Sequence, residues 1–162
     1  SFHGATAGAL SLTGDPYRLP VEPLISGVVH VMDPYCYRCP FGWTKETCHR
    51  ECISHVEQVI QFEGPDNIAA LVLEGVTGSN GLIIPPDDYW PRMREICDKY
   101  GILLVSDEVM SGFGRTGEWF GVNLSDENHR QLDRSLQEGE LAVVQAVGGE
   151  DILRSCKDKG LS

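Results

Sequence analysis

A chain of 162 residues, 41% hydrophobic and 23% charged, has the composition of one ordinary globular domain with room for a core. Its formal net charge of -11 opposes phosphate backbones and anionic membrane surfaces, which excludes nucleic acid as an expected partner. No apolar run approaches the roughly 20 residues of a membrane helix, and SFHGATAGALSLTGD lacks the basic start and long apolar centre of a signal peptide, so a soluble, cytoplasmic protein is expected. The first residue is not Met and the chain opens as if inside a motif, so a piece of a longer protein is expected.

In chain order, small residues with Leu10 and Leu12 after Gly4 suit a helix over 5–13. Pro16, Pro20 and Pro23 then make a connection, and VVHVM over 28–32 reads as a short strand of β-branched residues. Next comes PYCYRCPFGWTKETCHREC, where Cys36, Cys39, Cys48 and Cys52 are spaced C-x2-C-x8-C-x3-C. That spacing could offer four thiolates to one tetrahedral zinc. The other reading is a loop of reduced cysteines packed as small apolar side chains, disulfides being disfavoured without a secretory signal. Packing or a local structural role is preferred, no metal is expected, and His49 and His55 read as surface histidines.

From Thr44 onward, ETCHRECISHVEQVIQFEG sets Cys52, Val56, Val59 and Ile60 at helical spacing, with Gly64 and Pro65 as a stop. IAALVLEGV, 68–76, is a continuous apolar run and predicts a parallel strand covered on both faces. Gly78, Asn80 and Gly81 make a turn; Pro85 to Asp88 open a helix through YWPRMREICDKY, with Met93, Ile96 and Cys97 on one face and Gly101 as its stop. ILLVSD, 102–107, is then a second buried strand. Strand, helix, strand is the right-handed βαβ crossover, so both strands point the same way. The fold expected is α/β, a mostly parallel sheet with flanking helices.

Both strands end in an acid, Glu74 and Asp107, at the rim where open α/β sheets bind ligands. For Glu74 alone, capping the following turn is the preferred reading. Asp107 follows five apolar or small residues, and a buried carboxylate is costly unless something cationic meets it. Glu108 reads as structural or solvated.

SFHGATAGALSLTGDP, the stretch LVLEGVTGSNGLIIPPDDYWPRMREICDKYGILLVSDEVMSGFGRTGEWFGV and the terminal DILRSCKDKGLS resemble the class III aminotransferases, the ω-amino-acid and taurine–pyruvate branch of fold type I enzymes dependent on pyridoxal phosphate. The resemblance covers most of residues 1–123 and implies part of the fold type I large domain. It implies that Asp107 pairs with the pyridine nitrogen of pyridoxal 5'-phosphate, keeping it protonated so that the ring withdraws electrons well. Val109 corresponds to the side chain against one ring face, and Phe2 to the aromatic that stacks on the other. Gly4 corresponds to a close backbone turn, Glu74 to an acid near the cofactor, and His3 to no assigned role.

The family's cofactor-attaching lysine, which also shuttles the proton, corresponds to Lys159 in DILRSCKDKGLS, with Lys157 as its competitor. Residues 124–150 depart from the family and read as a divergent insertion or tail, with SDENHRQLDRSLQEGE a polar helix or loop; 151–162 form the lysine segment. The activity implied is transfer of an amino group from an amine or ω-amino acid to a 2-oxo acid such as pyruvate, by a protein that is a homodimer at full length. Two alternatives stand beside it: a non-catalytic remnant of the fold, and a zinc-stabilised interaction module on Cys36, Cys39, Cys48 and Cys52.

Overall fold

The computed structural model describes residues 2–124 and 141–144. Helix α1, Ala7–Leu12, starts where the Thr6 hydroxyl accepts the Ala9 N–H at 3.3 Å and ends at extended Thr13. The expected strand at 28–32 is absent. Its β-branched residues have the right propensity, but among the described residues no neighbouring strand pairs with them, and Val29 and Met32 are 52% and 54% exposed.

Helix α2 is Glu51–Glu63, shorter at its start than the reading from Thr44. Residues 44–47 instead close a turn, with the Thr47 N–H on the Thr44 carbonyl at 3.2 Å, and Arg50 adopts a left-handed φ of 66° that no helix continues through. The Arg50 Nε bridges both Asp88 oxygens, at 2.7 and 2.9 Å, which ties the start of α2 to the start of α3, Tyr89–Tyr100. Gly64 stops α2 and Gly101 stops α3, as their positions in the chain imply.

Cys52, Ile53, Val56 and Ile60 form the buried stripe of α2, and Tyr89, Trp90, Met93, Ile96 and Cys97 that of α3. The two stripes share one core with Ile102, Leu104 and Val122, and Leu71 and Leu73 pack against it. Strand β1, Ala70–Glu74, pairs in parallel with β2, Leu103–Asp107, and β2 pairs in parallel with β3, Leu141–Val144, giving the order β1-β2-β3. The β1–α3–β2 crossover expected from the sequence is present.

Covering on both faces holds for β2 and fails for β1. β2 lies between two strands and buries Leu104 through Asp107, while β1 ends the described sheet and leaves Val72 44% exposed. No helix of the described residues is long and apolar enough to cross a membrane.

Candidate active site at the carboxyl edge of the sheet

The parallel register places Glu74 directly beside Asp107, so both acids reach one rim. Glu74 behaves as a turn cap: its Oε2 accepts the Gly78 N–H at 2.9 Å. Asp107 is 4% exposed. Its Oδ1 accepts the Val109 N–H at 3.1 Å, and its Oδ2 lies 2.5 Å from His3 Nε2. At that separation the ring nitrogen and the carboxylate oxygen share a hydrogen bond.

His3 comes from the far end of the chain, 104 residues away. Gly4, at φ 108°, turns the backbone directly after it through a region that an L side chain rarely adopts. Phe2, beside His3, is 57% exposed and meets Tyr17 edge-on at 6.5 Å; Val109 is half-buried. The residues predicted from sequence at positions 2, 74, 107 and 109 therefore belong to segments that converge on one edge. Lys159 and Lys157 lie outside the described residues.

Sequence reasoning gave His3 no role and left Glu108 between structural and solvated. Glu108 is structural and wholly buried. Its Oε1 accepts from Ser106 Oγ at 2.8 Å and the Val122 N–H at 3.2 Å; its Oε2 accepts from Ser111 Oγ at 2.5 Å and the Gly121 N–H at 2.8 Å. Four donors replace the water that a buried carboxylate loses. They pull the loop that follows β2 back over the strand tip. The fit leaves no room for a side chain at Gly112, whose Cβ would stand 2.9 Å from the Glu108 carbonyl, or at Gly121, whose Cβ would collide with Ser111. The glycines of this loop were a visible signal of close approach; the acid they approach was not.

Cys36, Cys39, Cys48 and Cys52 do not form a tetrahedral set. Among the described residues no three His, Cys, Asp or Glu side chains group to hold a metal. Cys36, Cys39, Cys48, Cys52 and Cys97 are all free thiols. Cys52 packs in the core, where burial pushes its thiol up to about 11. His49 is exposed, as expected, while His55 is half-buried with its ring centroid 5.5 Å from that of Phe41.

A family model described as Aminotransferase class-III matches residues 1–129. The hypotaurine/taurine–pyruvate aminotransferase of Paracoccus denitrificans is 44% identical over 160 residues, which is 97% of this chain and 34% of that protein. The leucine/methionine racemase of Thermococcus litoralis is 43% identical over 128 residues, 75% of this chain and 28% of that protein. Among solved structures, the ω-transaminase of Pseudomonas jessenii in complex with PMP superposes with a TM-score of 0.68 at 40% identity, over 76% of this chain and 28% of that one. The chain thus spans about a third or less of the length of these relatives.

Proposed function

The chain belongs to the class III aminotransferases, and from that premise we propose that it carries part of the centre of a pyridoxal-phosphate-dependent transaminase, moving an amino group from an amine or ω-amino acid to a 2-oxo acid such as pyruvate. The observation that carries this reading is the Asp107 carboxylate, 4% exposed at a strand tip and oriented by the Val109 N–H and by His3.

Asp107 would hold that nitrogen protonated, and His3 would keep the Asp107 carboxylate aligned. Val109 would pack on one face of the ring and Phe2 would stack on the other. Glu74, on the neighbouring strand, would contribute to the charge balance, and Lys159 would attach the coenzyme and carry the proton to and from the substrate carbon. When bound, the coenzyme supplies an electron sink for charge developing at that carbon. The full-length protein on this reading is a cytoplasmic homodimer.

A pyridoxal phosphate titration of the purified chain, followed by visible absorption, tests the reading. A saturable spectral change is expected, lost in Lys159→Ala. In Asp107→Ala it is weakened roughly 10- to 100-fold, the consequence of losing one hydrogen bond to a charged group. A folded chain without any spectral change would overturn it. The racemase relative defines a second reading: a product assay with a chiral amino acid should show nitrogen transferred to pyruvate rather than the same amino acid inverted.

A further inference from the structure

One of the four donors on Glu108 also reaches the neighbouring strand. Ser111 is 1% exposed, and its hydroxyl donates to Glu108 Oε2 at 2.5 Å. The same Ser111 oxygen lies against Gly75, the residue directly after Glu74: a Cβ at Gly75 would stand 2.8 Å from Ser111 Oγ and 3.6 Å from Ser111 Cβ. Ser111 also presses on Gly121, where a Cβ would come within 2.4 Å of Ser111 Cβ. The side chain is therefore wedged between the end of β1 and the returning loop, with its oxygen fastened to the residue that follows Asp107.

A second contact repeats the arrangement. Met110 lies against Gly78, whose Cβ would stand 2.7 Å from Met110 Cγ and 3.1 Å from its Sδ. Gly78 is also the residue whose N–H Glu74 Oε2 accepts at 2.9 Å. The loop after β2 thus rests on the turn after β1, side chain against bare glycine at two points. The backbone bond at this end of the strand pair, from the Gly75 N–H to the Asp107 carbonyl, is long at 3.4 Å, so side-chain packing has a large share in how far apart the two tips stand. Buried side chains pack at near-crystal density, and a change of one methyl group there is felt by the neighbours.

We propose, resting on the transaminase reading, that Ser111 is a positioning residue for the coenzyme. It fixes the spacing of the strand tips that bear Glu74 and Asp107, and with it the direction in which the Asp107 carboxylate faces the ring nitrogen. It acts through Gly75 and Glu108, the chain neighbours of those two acids.

A complementary pair of substitutions in the 162-residue chain tests this. Ser111→Ala removes the hydroxyl, and Gly75→Ala drives a methyl group into it. Combined, they fit: the new methyl group takes the place of the hydroxyl and meets the Cβ at position 111 at 3.6 Å, an ordinary contact. The first readout needs no coenzyme. It is the NMR signature of the His3 ring, which reports on Asp107 through their hydrogen bond. The His3 signals are expected to shift in Ser111→Ala, to shift further in Gly75→Ala, and to return toward the unmodified position in the double variant. Met93→Ala, which weakens the core between α2 and α3, should leave them in place, so that lost stability alone does not imitate the effect. Pyridoxal phosphate affinity should follow the same order, weaker by about 3- to 10-fold in Ser111→Ala, weaker still in Gly75→Ala and partly restored in the double variant.

Unchanged His3 signals in both folded single variants would overturn the proposal. So would a double variant whose shift is the sum of the two single ones, because independent sites add. If Gly75→Ala does not fold, a folded double variant supports the wedge and an unfolded one overturns it. An unmodified chain that shows no spectral change with pyridoxal phosphate counts against the transaminase reading, and the His3 signals still decide whether Ser111 positions Asp107.

Discussion

Asp107 and Glu108 are adjacent, chemically alike and set to different work. Where β2 ends, successive side chains leave the backbone in different directions. Asp107 meets His3 and Glu108 meets the returning loop at Gly121 and Val122. Glu108→Ala would leave two buried N–H groups and two hydroxyls without their acceptor, so a loss of about 3 kcal/mol or more is expected in urea unfolding, with the loop after β2 released first in hydrogen exchange. A loss below 1 kcal/mol would mean that other groups serve those donors. His3→Ala removes one support of Asp107 and leaves the Val109 N–H in place. Pyridoxal phosphate binding should weaken in it by a smaller factor than in Asp107→Ala, and an equal or larger loss would place His3 directly on the coenzyme.

Helices α2 and α3 hold together by stripes that the 3.6-residue pattern announces, and two of the buried side chains are thiols. Met93 is fully buried and Leu103 is 46% exposed. Met93→Ala should therefore cost about 2–5 kcal/mol in urea unfolding and Leu103→Ala well under that; comparable losses would contradict the packing. Burial pushes the thiols of Cys97 and Cys52 up to about 11 from an ordinary value of 9.0. The unfolded chain gives up these protons first. Their contribution to stability is therefore complete below about pH 9 and falls away as pH rises toward about 11. A Cys97→Ala variant should show a shallower alkaline decline in stability over that window, and an unchanged slope would assign the decline to other groups.

On the scale of the molecule, acidity and exposed apolar surface oppose each other. A net charge of -11 keeps copies apart, while the described sheet ends at β1 with Val72 44% exposed. Salt shortens the reach of that repulsion from about 30 Å at 0.01 M to about 8 Å at 0.15 M. An open strand edge can then pair with another copy. Sedimentation should show the mean mass rising with salt, and Val72→Lys should suppress the rise. A mass independent of salt would mean that this edge is already covered.

Much of the fold was legible in the residues themselves. Periodicity located α2, α3, β1 and β2, and the glycines at 64 and 101 marked their ends, because helix and strand periods and left-handed stops are local properties of a chain. The order strand, helix, strand then fixed that Glu74 and Asp107 share an edge, since crossovers of this kind make parallel neighbours. Long-range pairing decided the rest. Nothing local tells His3 that it will meet an acid 104 residues away, tells Glu108 that four donors will converge on it, or tells residues 28–32 that no strand among the described residues will pair with them. A hydrogen bond or a strand ladder needs two partners, and only the folded chain brings the second one.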